Sequence, residues 1–223
     1  MAISTTYIVT VLLDVNEIQD VDDRAESRSY IVGDRESKQA VIIDAVIENV
    51  ERDLRLLNEL GLTLRFAVET HIHADHITGA SAIKDRTGAQ IVYGGGAKGE
   101  VTGADLFLFE GEVLRLGQAS LTALATPGHT NGCTSYVLPG AVFTGDALFI
   151  RGNGRTDPRS HLALGARRQS TAELKGRSPA HRRTGNHIFR RRFLRKMLWR
   201  EDHHLSRLHV FGRDDPANAT KMI

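Results

Sequence analysis

From Tyr30 to Asp157 short apolar runs alternate with polar turns, and the spacing of the apolar positions changes from run to run. SYIVG (29–33) and AVIID (40–44) predict two strands joined across the turn-rich GDRESKQ in a hairpin-like arrangement. Ile47, Val50, Leu54 and Leu57 then recur at helical spacing, and Gly61 follows as a stop signal. LRFAVE (64–69) predicts a buried strand, ITGASAIKDRTG (77–88) a helix ended by Gly88, and QIVYG (90–94) another strand. Further strands are expected at DLFLFE, EVLRL, SLTALA, TSYVL and AVFTG. Many short strands with two interspersed helices point to a mixed α/β architecture, two sheets with helices outside.

The 223 residues suffice for one sizeable domain, or one with an appendage. A hydrophobic content of 41% and a charged content of 25% are ordinary for a globular protein. No apolar run approaches the ~20 residues of a membrane helix. The opening MAISTTYIVTVLLDVNEIQD has no basic stretch ahead of its apolar run, so a secretory leader is not expected. The single cysteine, Cys133, excludes an internal disulfide framework and fits a reducing compartment. The expected location is the cytoplasm, or the mitochondrial matrix in a eukaryote.

Charge divides the chain. The net charge of +2 splits into +11 over 158–223 (16 basic, 5 acidic) and −9 over 1–157 (13 basic, 22 acidic). A boundary is therefore expected near Asp157, between residues 1–157 and a basic segment 158–223 of uncertain fold.

Residues 69–79, ETHIHADHITG, place His71, His73, Asp75 and His76 directly after a predicted strand. Imidazole nitrogen and carboxylate oxygen suit zinc, iron and related divalent ions. Along an extended loop His71, His73 and Asp75 alternate, whereas a helical turn would bring His73 and His76 together. Either geometry gathers several donors, so metal binding is the expected role. His129 in PGHT and Asp146 in TGDA also follow predicted strands, where a rigid scaffold places its chemistry. Glycine-rich GGGAKGE (94–100) lacks the ending of a phosphate loop and reads as a plain flexible turn. Cys133 is expected to pack rather than react.

HxHxDH with PGHT and TGDA resembles the metallo-β-lactamase superfamily, whose fold is an αββα sandwich with metal at the strand ends. THIHADHITGA, TPGHTNGC, GDALFIRGNGRTD and GDRESKQAVIID together resemble its persulfide dioxygenases, over about 26–157. The resemblance implies one Fe(2+) per chain, held by His71, His129 and Asp146 as catalytic ligands. It places His73, Asp75 and His76 around them, as outer groups or as ligands of a second metal, and Arg155 against an anionic substrate. The implied reaction is oxidation of glutathione persulfide by O₂ to sulfite and glutathione. Asn153 stands where many relatives carry cysteine, which removes a thiol role there.

The alternative is a glyoxalase-II-type hydroxyacylglutathione thioester hydrolase with two Zn(2+) ions. That site needs a further histidine, for which His181 is poorly spaced. A third reading is a basic-tailed binding protein with a structural or vestigial metal site.

After Asp157 the family continues with an aromatic-glutamine pair and a Pro-x-His-Asp-Tyr strand end. Here Pro158-Arg159 follows, and Pro179-Ala180-His181 is the nearest echo. With the charge break, this reads as a frame-shifted or divergent tail, with a weak helix expected at 188–199. The sandwich is thus expected to be incomplete on its C-terminal side. The partners expected are glutathione persulfide and O₂, with neither membrane nor nucleic acid; a homodimer is compatible with the chain.

Overall fold

The computed structural model describes residues 7–13, 28–148 and 209–212. The expected hairpin is formed by antiparallel β2 (Arg28–Asp34) and β3 (Gln39–Ile43), and β1 (Tyr7–Leu13) pairs antiparallel with β2 on its other side. From β3 the chain passes through a 3₁₀ turn (Ile47–Asn49) and α1 (Val50–Glu59) to β4 (Thr63–Val68), which lies parallel to β3. A second crossover, α2 (Ala80–Thr87), leads to β5 (Gln90–Gly94), parallel to β4, and β6 (Leu106–Leu108) closes this six-stranded sheet. Parallel neighbours require such crossovers, and helices covering one face follow from them.

The second sheet runs β11-β10-β9-β8-β7, comprising β7 (Val113–Leu116), β8 (Ala119–Ala125), β9 (Thr134–Leu138), β10 (Ala141–Gly145) and β11 (His209–Gly212). Its pairs are antiparallel except β10 with β11.

The two-residue period of the strands sorts their side chains into two cores. Ile31, Ala40, Ile42, Ala67 and Ile91 face α1 and α2, joining Val50, Leu57 and Ile83. Tyr30, Val32, Val41, Ile43, Val68 and Val92 face the second sheet, meeting Leu116, Leu121, Tyr136 and Phe143. Tyr30 and Phe143 meet across that interface with ring centroids 5.1 Å apart. Among the described residues the layers are therefore helices, sheet, sheet, three of the four layers of the expected sandwich.

One helix boundary and two strands differ from the sequence reading. The helix expected from Ile77 begins at Ala80, because Thr78 bridges to Val46 and Gly79 N–H donates to Ala45 O at 2.7 Å. Strands β1 and β11 were not expected. The boundary at Asp157, the helix at 188–199, Asn153, Arg155, His181 and the expected incompleteness of the sandwich on its C-terminal side fall outside the described residues. No helix among the described residues is long and apolar enough to cross a membrane.

Candidate metal centre

Because β3 and β4 are parallel, their C-terminal ends open onto the same edge of the sheet. Asp44 follows β3 directly, and Glu69, Thr70 and His71 follow β4. Backbone bonds hold these segments together: Asp44 N–H donates to Val68 O at 2.9 Å, and Glu69 N–H to Val92 O at 2.9 Å. The second sheet brings His129 from the loop after β8 and Asp146 from the residue after β10. Two bonds join the sheets at this edge, Thr134 N–H to Thr70 O at 2.8 Å and Tyr136 O–H to Glu69 O at 3.0 Å.

The six clustered donors predicted from sequence fall into two groups. His71, His129 and Asp146 each bring a ligand atom within 4.8 Å of the others, and so do His73, Asp75 and His76. The rings of His71 and His129 stand edge to face with centroids 4.9 Å apart, and His129 Nε2 lies 3.5 Å from Asp146 Oδ2. Two imidazoles and one carboxylate at this spacing fit a divalent ion of the facial-triad type, with coordination positions left open. His71 is buried, whereas the side chains of His129 and Asp146 keep 20% and 13% of their exposure, so the centre is open on one side.

The sequence reading missed the support beneath His71. Asp44 sits in the left-handed region, φ 54°, a conformation costing about 1–2 kcal/mol for a residue with a Cβ. Its carboxylate explains why it is held there. Oδ1 accepts from Thr70 N–H at 2.7 Å, and Oδ2 accepts from Thr70 Oγ1 at 2.8 Å. Thr70 Oγ1 also lies 2.9 Å from His71 Nδ1. The hydroxyl has one proton, and that proton goes to the carboxylate; toward His71 it can only accept. His71 is thereby set as the tautomer protonated on Nδ1, with the Nε2 lone pair available to a metal. Burial, reinforced by the charge of His73, drives the His71 pKa down to about 3, so the ring stays neutral.

His73 is held in the opposite sense. Burial pulls its pKa down, but Asp44 and Glu69 outweigh that and raise it to about 10. Its Nε2 lies 3.3 Å from Asp44 Oδ1 and 3.2 Å from Glu69 Oε2. The Asp44 pKa is lowered: burial raises it, and the charge of His73 prevails. Burial with the charge of Asp44 raises that of Glu69. Asp44, Glu69 and His73 form a third group of the kind that could hold a metal. Asp75 is exposed, and Oδ1 lies 3.5 Å from His76 Nδ1.

Glycine turns pack closely around the site. A Cβ at Gly145, where φ is 49°, would collide with the Thr70 side chain. The segment read as a flexible turn is in part tightly packed. A Cβ at Gly94 would strike Thr134, and Gly132 packs on Ala97, so this stretch backs the loop that follows His129. Cys133 is buried there as expected. Its Sγ lies 3.2 Å from Thr130 N, and burial pushes its pKa up to about 11.

The profile of the metallo-beta-lactamase superfamily matches residues 23–198. The chain belongs to that superfamily. Within it, the mouse (Mus musculus) mitochondrial persulfide dioxygenase ETHE1 is 49% identical over 134 residues, 58% of this chain and 51% of the relative. The hydroxyacylglutathione hydrolase of Mesorhizobium japonicum is 38% identical over 141 residues, 62% of this chain and 54% of that enzyme. The crystal structure of ETHE1 from Myxococcus xanthus superposes with a TM-score of 0.59 at 44% identity, covering 67% of this chain and 62% of that one. The chain spans about half the length of the curated relatives it matches. The superfamily match continues past Asp157, while the curated matches extend over a little more than half of the chain.

Proposed function

We propose that the protein is an iron-dependent persulfide dioxygenase, oxidising glutathione persulfide with O₂ to sulfite and glutathione. The observation that carries this reading is the convergence of His71, His129 and Asp146 on one open edge, in a chain more similar to persulfide dioxygenases than to thioester hydrolases. His71, His129 and Asp146 would hold one Fe(2+), the ion supplying the site at which substrate and O₂ meet. The balance is persulfide (RSSH) plus O₂ plus water giving thiol (RSH), sulfite and two protons. The terminal sulfur gains three oxygen atoms, two from O₂, and the S–S bond breaks with a proton passing to the glutathione sulfur.

The chain's own contribution is binding and orientation. Thr70 and Asp44 fix the His71 tautomer, and the exposed sides of His129 and Asp146 leave the approach for an anionic persulfide. Arg155, outside the described residues, is the proposed partner of that anion. His73, Asp75 and His76 would orient the site rather than bind the iron. The location proposed is the cytoplasm, or the mitochondrial matrix in a eukaryote.

The second reading is the two-zinc thioester hydrolase, favoured by the second donor group, His73 with Asp75 and His76. Metal content measured beside O₂ uptake with glutathione persulfide separates the two. One iron with O₂ uptake supports the dioxygenase; two zincs with thioester hydrolysis and no uptake overturn it.

A further inference from the structure

Glu69 stands outside the proposed ligand set, yet its side chain is wholly buried behind it. Excluding a carboxylate from water costs several kcal/mol unless its oxygens are satisfied. Oε1 accepts a hydrogen bond from Thr78 Oγ1. Oε2 faces His73 Nε2 at 3.2 Å, and Asp44 Oδ1 faces the same nitrogen at 3.3 Å.

An imidazole has two ring nitrogens and so two directions in which to bind. For His73, Nε2 lies between the two carboxylates at ion-pair distance, and Nδ1 lies toward Asp75, 3.9 Å from Oδ1. Its donor atoms accordingly group with Asp75 and His76, or with Asp44 and Glu69, and not with His71, His129 and Asp146. Distance alone does not keep it away, since the His71 and His73 ring centroids are 4.1 Å apart. A modest swing of the side chain would bring a third imidazole to the same ion.

We propose that Glu69 is a positioning residue that sets the ligand count of the metal: by gripping His73 Nε2 it keeps that ring out of the His71–His129–Asp146 cluster. The inference rests on the metal centre proposed above and goes beyond it, to what keeps that centre at three protein ligands. Asp44 shares the grip, but it also serves Thr70 and so His71. Glu69 faces His73 as an ion pair through one oxygen and accepts from Thr78 through the other, which makes it the cleaner lever. Releasing His73 gives the ion a third imidazole and removes one position from substrate and O₂. Iron then binds more tightly while turnover falls. A residue needed only for folding would weaken both together.

The experiment uses the full chain reconstituted anaerobically with Fe(2+), with imidazoles per iron counted by X-ray absorption and the iron Kd measured beside it. The wild type is expected to show two imidazoles, Glu69→Leu three, and Glu69→Gln two, because the amide oxygen still faces His73 Nε2 and the Asp44 charge is kept. In Glu69→Leu the iron Kd falls about tenfold or more and O₂ uptake falls by a similar factor, the scale of outer-group effects at metal sites. His73→Ala added to Glu69→Leu returns the Kd to within about threefold of wild type, the coupling expected of residues in contact. Two imidazoles in Glu69→Leu with unchanged affinity would overturn the role of Glu69 and leave the iron centre standing. Three imidazoles in the wild type would also overturn it, without any variant having to fold. A wild type that takes up no iron would overturn the metal centre itself.

Discussion

The two halves of the candidate centre are built differently. His71, from the first sheet, is buried and stands on a chain of hydrogen bonds through Thr70 to Asp44. His129 and Asp146, from the second sheet, are partly exposed and lie at 3.5 Å from each other. One side is an anchored floor and the other an open wall. A metal enzyme needs both: a donor whose tautomer and direction are fixed in advance, and a flank that substrate can reach. Substitutions on the wall should therefore cost function with little stability, and those under the floor should cost both.

The largest effect is expected on the wall. Asp146→Ala removes a proposed ligand, so iron content after desalting should fall below about a tenth of wild type and O₂ uptake by at least about 10³-fold. Its thermal midpoint without metal should stay close to the wild-type value, since the site is partly exposed. A large loss of metal-free stability would place Asp146 in the floor and break the contrast.

Under the floor, Thr70→Val keeps the shape and deletes the hydroxyl that joins Asp44 to His71. Iron affinity is expected to fall about 10–100-fold. Stability should drop by about 1–3 kcal/mol, because two buried polar groups lose their partner. Thr70→Ser should restore most of both, measured by metal titration and denaturant unfolding.

Gly145→Ala sharpens the junction between the halves. With φ at 49° and the Thr70 side chain in the way, the methyl group must displace either Thr70 or the Asp146 loop. A loss of about 1–3 kcal/mol is expected in urea unfolding. Metal affinity should fall with it.

The smallest effect concerns Cys133, behind the wall. Burial raises its pKa from 9.0 to about 11, so at pH 8 about one thiol in a thousand is ionised. The folded protein should resist alkylation at pH 8 and react on unfolding, as mass spectrometry would show. The folded state holds this proton more tightly than the unfolded chain. The associated stability is therefore complete below pH 9 and declines as pH rises toward 11. Rapid alkylation of the native protein would mean that the opening reaches deeper than His129.

Much of this organisation was legible in the residues. The short apolar runs located β2 to β10, since each strand lies within its own local stretch of apolar residues. His71, His129 and Asp146 were singled out because their residue types ligate metals, and their donor atoms do lie together. The floor did not. Asp44 and Thr70 are 26 residues apart, Tyr136 and Glu69 67 apart, and nothing local marks such partners. Asp44 read as the polar end of AVIID, and Glu69 as the first letter of a motif. Strands β1 and β11 escaped for a related reason: each is defined by the neighbour it pairs with, β11 by a strand more than sixty residues earlier.

The hydroxyl of Tyr136, reaching from the second sheet to the carbonyl of Glu69 in the first, works as a dowel between two boards. It sits in the dry interior, where slippage of one sheet over the other would strand both polar groups. Because it is set next to the edge that bears the donors, insertions or drift at the far ends of the strands can accumulate without changing the gap between His71 and His129. The reactive edge is thereby insulated from the remainder of the sandwich.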